Sequence, residues 1–289
     1  MKNTHPTSGA QAIAPGDIIA GKYRVTSERH DHGRVRVMEV TRLETGSRLA
    51  MRVSRPLRAG DGWLGLREAA MNAQRLSNDR AECPIDVAEL ATDEPFVVTP
   101  LLAGTDLGAR IARDGGLPVL DVIDIGIQVC EAMADAHRVG VLHCDLRPEK
   151  LFLSERDGLP FVSVLMSAIS VRSGPHGAPR GLFDVDCRSD IFSLGITLCV
   201  LLAGKPPFWH GTHKSPSERT NIVIEYIPLS TTRPELSPAL ASVLERAHSR
   251  YPDDRYQSMT SFALALAPFA PARSRPLLDR ISARAAQRP

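Results

Sequence analysis

The sequence predicts an α+β fold in two parts, a sheet-rich front third followed by a helix-rich remainder. Two observations carry this. Between Asp17 and Val53, the runs KYRVTSER, RVRVMEV and SRLAMRV alternate apolar, often β-branched, residues with polar ones, the period-2 pattern of half-buried strands. Beyond Gly104 the apolar spacing turns helical, above all over Val119–Arg138 and 189–203. At 289 residues the chain is long enough for two lobes around a cleft.

Taken in order, residues 1–17 are polar and small, with Pro6 and Pro15, and read as a flexible leader. Residues 18–101 form the first lobe. Its strands make an antiparallel meander with Thr45-Gly46 at a turn, followed by a helix over 63–77 and two further strands within 85–102, IDVAEL and PFVVTPLL. Residues 102–269 form the second lobe. A short helix spans Leu107–Arg113. A long one spans Val119–Arg138, its positions Val122, Ile125, Ile127, Val129, Met133 and Ala136 suiting burial. VLHCDLRPEKLFL is a loop leading into a strand, FVSVLM is a second strand, and 173–181 is a loop rich in Gly, Pro and Arg. The tail 270–289 carries five Arg against one Asp and is expected to be a solvated or frayed end.

Composition narrows the function classes. A formal net charge of +2 implies no polyanion, so no nucleic-acid partner is expected. Five cysteines lack ligand or disulfide-framework spacing, which points to a reducing, cytoplasmic setting. The most apolar run, Ile191–Ala203, falls well short of the ~20 residues needed to span a bilayer and is read as a core helix.

Several motifs stand in a telling order. VLHCDLRPEKLFL resembles the catalytic loop of protein kinases, H-R-D-x-x-x-x-N before a strand, with His143 and Asp145 in place. SRLAMRV resembles the strand that bears the kinase lysine, and LREAAMNAQRLS the helix after it. RSDIFSLGITLCVLLAGKPPF and YPDDRYQSM are similar to segments of bacterial Ser/Thr kinases. The resemblance runs from about Asp17 to Phe269. It implies a two-lobed protein kinase-like fold, with a small antiparallel N-lobe sheet plus one helix and a larger helical C-lobe.

The resemblance also assigns roles. It makes Asp145 the base toward an acceptor hydroxyl, with Arg147 near the transferring phosphate. It puts Arg52 at the phosphate-binding lysine, Glu68 at its ion-pair partner, and Thr99 at the gatekeeper position. Val37, Ala50 and Phe152 would sandwich adenine, and Leu102 would offer a hinge N–H. Asp190, in RSDIFSLG, would accept hydrogen bonds from the catalytic-loop backbone.

Other positions depart from the family pattern. His30, His32 and Val35 stand where glycines let backbone N–H groups approach phosphate. Met166, Ser167 and Ala168 stand at D-F-G, and Lys150 at the Asn, although the family holds magnesium with that Asp and Asn. A thioether is a poor ligand for a hard cation, and an ammonium repels one. Cys144 replaces the Arg of H-R-D. Arg180 stands where a glutamate would pair with Arg255, so Arg255 is expected to find a carboxylate or a carbonyl elsewhere. No metal site is expected.

The favoured expectation is therefore a bacterial-type pseudokinase, a regulatory or scaffolding module in signalling that binds a protein partner. Any ATP or ADP would bind weakly and without magnesium. Two alternatives are an active atypical Ser/Thr kinase using Asp145 as base, and a nucleotide sensor without turnover.

Overall fold

The computed structural model describes residues 13–31, 35–54, 76, 78–90, 94–166, 170–171, 186–210 and 224–286. The chain divides into two compact units, Met1–Gln74 with Cys83–Leu101, and Arg75–Glu82 with Leu102–Pro289. The helix expected over 63–77 and the loop 173–181 lie outside the described residues.

The first unit contains β1 (Ile18–Ile19), β2 (Tyr23–Asp31), β3 (Val35–Arg42) and β4 (Arg48–Ser54). After β5 (Ala81–Glu82), which belongs to the second unit, come β6 (Asp86–Glu89) and β7 (Pro95–Pro100). These six make one antiparallel sheet in the order β1-β2-β3-β4-β7-β6. The period-2 pattern is realised directly. Met38 faces Met51, Met51 faces Val98, and Val53 faces Phe96, all buried. The β3–β4 turn is closed by Gly46, whose φ of 70° suits glycine and whose N–H donates to the Arg42 carbonyl at 2.8 Å.

The second unit begins with β8 (Thr105–Asp106), α1 (Leu107–Asp114) and α2 (Val119–Arg138). The Asp106 side chain caps α1 by accepting the Ala109 N–H. Next come β9 (Val141–Leu142), β10 (Leu151–Arg156), β11 (Leu159–Leu165) and β12 (Ser170–Val171). β5, β11, β10 and β8 form a four-stranded sheet, and β12 pairs with β9. After α3 (Cys187–Ala203), a hairpin of β13 (Phe208–His210) and β14 (Ile224–Tyr226) leads to α4 (Leu229–Thr232), α5 (Pro238–Ala247), α6 (Met259–Leu266) and α7 (Arg275–Ala286). The apolar run read as a core helix is α3, with Ile191, Leu194, Leu198 and Leu201 fully buried. Gly195 lets α5 approach closely, because a Cβ there would lie 2.9 Å from the Ala247 Cβ. No described helix is long and apolar enough to cross a membrane.

The basic tail departs from expectation. Instead of a solvated end, α7 buries Leu277, Leu278 and Ile281. The tail arginines reach α2: Arg273 bonds Asp121 and Asp124, Arg280 bonds Glu131, and Arg284 bonds Asp135. Net charge alone misread the tail because its partners lie some 150 residues upstream.

Candidate functional site

The loop between β9 and the turn Pro148–Lys150 is anchored from below. His143 is fully buried. Its Nδ1 accepts the Asp145 N–H at 3.2 Å, and its Nε2 donates to the Leu165 carbonyl at 3.0 Å. Burial holds this imidazole below its usual range, so it is neutral near pH 7. Asp190, fully buried in the first turn of α3, accepts the His143 N–H at 2.9 Å and the Cys144 N–H at 2.7 Å. His137 Nε2 adds a third bond to it at 2.7 Å. Burial alone would raise the Asp190 carboxyl, but these donors outweigh it and hold the group below the usual carboxylate range. The clamp also holds Cys144 at φ 60°, a conformation that costs a non-glycine residue about 1–2 kcal/mol. Asp190 thus sits where the resemblance places it.

The upper face of the loop is polar and open. Asp145 keeps 41% of its side-chain surface exposed. Its Oδ2 lies 3.4 Å from Arg147 Nε and 3.9 Å from Lys150 Nζ, and Lys150 itself is only 14% exposed. Met166, just past β11, is fully buried, and its N–H donates to the Glu82 carbonyl at 3.2 Å. Phe152, half-buried on β10, pairs with Ser163 and Asp106. Leu102 is half-buried ahead of β8.

In the first unit, Val37, Ala50, Arg52 and Thr99 come together on three adjacent strands. Val37 faces Arg52, and Ala50 faces Thr99. Arg52 Nη1 donates to Thr99 Oγ1 at 2.9 Å, and burial pushes the guanidinium down to about 10. Glu68, the expected partner of Arg52, lies outside the described residues, as do His32, Ser167, Ala168 and Arg180; His30 ends up in β2 and Val35 opens β3.

Solved structures and curated sequences give this arrangement a context. The PknI kinase domain of Mycobacterium tuberculosis aligns with a TM-score of 0.71 at 27% identity, covering 90% of this chain and 100% of that one. Serine/threonine-protein kinase pkn3 of Myxococcus xanthus is 29% identical over 276 residues, 87% of this chain and 50% of its own length. Serine/threonine-protein kinase PknB of Mycolicibacterium smegmatis is 27% identical over 215 residues, 68% of this chain and 34% of its own length. The chain has the fold of a bacterial Ser/Thr protein kinase domain. It spans half or less of the length of these curated relatives. No family model matches it.

Within the kinase fold, the metal positions can be tested for fit. Magnesium wants oxygen ligands in octahedral array. At the two positions to which the resemblance assigns the metal ligands stand Met166, a buried thioether, and Lys150, an ammonium beside Asp145. This donor set does not fit a magnesium ion. Arg255 finds carbonyls, as anticipated: Nε donates to Ser249 and Nη1 to Arg188, while its guanidinium lies 4.6 Å from the Phe192 ring centre.

Two supporting residues went unread in the sequence. His137 completes the Asp190 clamp from the last turn of α2, and Thr197 Oγ1 lies 3.1 Å from the Leu146 carbonyl. Neither lies in the loop motif. Only the docking of α3 beneath the loop brings them in.

Proposed function

We propose that this kinase-fold chain is a pseudokinase, a regulatory or scaffolding module that binds a protein partner in a bacterial cytoplasm. The observation that carries the reading is Lys150. It sits where the family has a metal-binding asparagine, 3.9 Å from the Asp145 carboxylate, with Met166 buried at the companion metal position. Phosphoryl transfer depends on positioning and on neutralising phosphate charge. A fixed ammonium neutralises one carboxylate but does not bridge two phosphates. Arg52 differs from lysine in length, planarity and hydration, and so places its charge differently.

Nucleotide binding, in this reading, is weak and indifferent to magnesium. Val37, Ala50 and Thr99 in the first unit offer apolar contact, and in the second unit Phe152 offers the same and Leu102 a backbone N–H. Such contacts suggest an affinity no better than about 0.1 mM, roughly −5.5 kcal/mol. An active atypical Ser/Thr kinase is the second reading. It is supported by the exposure of Asp145 and by Arg147 beside it.

The test is radiolabelled ATP with generic protein substrates and with the chain itself, alongside calorimetric titration of ATP with and without magnesium. No incorporation and magnesium-independent weak binding are expected. Incorporation that disappears in a folded Asp145→Ala variant would establish the second reading instead.

A further inference from the structure

The C-terminal helix α7 lies on a face of α2 that is acidic. Asp121, Asp124, Gln128, Glu131 and Asp135 recur at intervals of three and four, which puts them on one stripe of the helix. Arg273, in the turn that precedes α7, reaches Asp121 at 2.6 Å and Asp124 at 3.1 Å. Arg280 reaches Glu131 at 3.3 Å, and Arg284 reaches Asp135 at 3.1 Å. The apolar contribution of α7 is limited to Leu277, Leu278 and Ile281.

Burying carboxylates is ordinarily costly to reverse, because removing one partner leaves an uncompensated charge. Here each sequestered carboxylate has a second partner in the body of the unit. Asp124 also accepts from Gln128 at 3.0 Å, Glu131 from Arg80 at 3.4 Å, and Asp135 from Asn78 at 2.8 Å. Asp121 is already 42% exposed. Lifting α7 away would therefore orphan none of the four.

The junction also borders an open cleft. A cavity of about 280 Å³ lies between the tail (Arg273, Leu277, Arg280) and the body (Arg80, Gln128, Phe161).

We propose that α7 is a detachable clip, held on the acidic stripe of α2 by half-exposed ion pairs around a small apolar patch, which opens and recloses while the rest of the unit stays folded. Opening is then a local event, distinct from global unfolding. It is promoted by ionic strength, since the screening length shrinks from roughly 10 Å at 0.1 M salt to roughly 3 Å at 1 M.

Hydrogen exchange on the full chain, resolved by peptide, tests this. Raising sodium chloride from about 0.1 M to about 1 M is expected to speed exchange over Arg275–Ala286 by about tenfold or more. Exchange in the middle of α2 and in α6 should change less than about twofold. The Arg280→Gln, Arg284→Gln double variant is expected to exchange quickly in α7 at low salt and to lose most of the salt response. If α7 exchanges in step with α6 at every salt concentration, or the parent is salt-insensitive, the clip is an integral part of the core and the proposal is wrong. The salt series on the parent decides the matter even if the double variant does not fold.

Discussion

The two faces of the segment His143–Lys150 obey different constraints. The lower face is a closed hydrogen-bond network in which Asp190 receives His143, Cys144 and His137, and His143 spans from Asp145 N–H to the Leu165 carbonyl. The upper face carries Asp145, Arg147 and Lys150 in partly solvated ion pairs 3.4 to 3.9 Å long. On the lower face a buried polar group without its partner destabilises the fold whatever the protein does. On the upper face Asp145 and Arg147 keep about half of their side-chain surface in water, so solvent can replace either of these partners.

The largest expected effect tests the lower face. Asp190→Ala strands two buried backbone N–H groups and the His137 proton, and should destabilise by about 3 kcal/mol or more. Urea unfolding at the parent's midpoint would mean that the clamp contributes nothing.

Acid should act on two buried histidines, one of them in this network. Burial lowers the pKa of both His143 and His248. Both are neutral in the fold, whereas in the unfolded chain they protonate near the ordinary value of about 6.5. The unfolded state binds the extra protons, so stability is full above about pH 6.5 and declines as pH falls below it. Asp190, held low, adds a further loss only below about pH 4, the ordinary carboxylate range. Unfolding midpoints at about pH 7.5 and 5.5 should differ, the acid one being lower. Equal midpoints would contradict neutral burial of these rings.

A smaller effect is expected where α3 touches the loop from the side. Thr197→Val keeps the volume but removes the hydroxyl that lies 3.1 Å from the Leu146 carbonyl and 2.8 Å from the Ser193 carbonyl. A loss of about 1 kcal/mol should appear in the same urea series.

The smallest effect belongs to the upper face. Asp145→Ala removes an exposed partner of Arg147 and Lys150, and should shift stability by less than about 1 kcal/mol. The contrast between the faces collapses if Asp145→Ala proves more damaging than Asp190→Ala.

Much of this was legible in the sequence. Alternation in RVRVMEV and SRLAMRV identified β3 and β4, and the span Val119–Arg138 was read to its ends, because local periodicity reports directly on which side of an element meets a core. The loop carrying Asp145 and Lys150, the strand before Met166 and the helix carrying Asp190 were readable from motif order. Their energetics were not, since whether a carboxylate is clamped or solvated depends on what packs against it. His137, Thr197 and the arginines of α7 show the same boundary. Each acts on residues 50 to 150 positions away in the chain. A sequence records spacing along one element, and so indicated the longer strands and helices and which residues stand in the loop. Which face of α2 meets α7, and which side of the loop meets α3, were decided only when the elements packed together. Burial is a property of the assembled layers, and burial determines what each of those charges is worth.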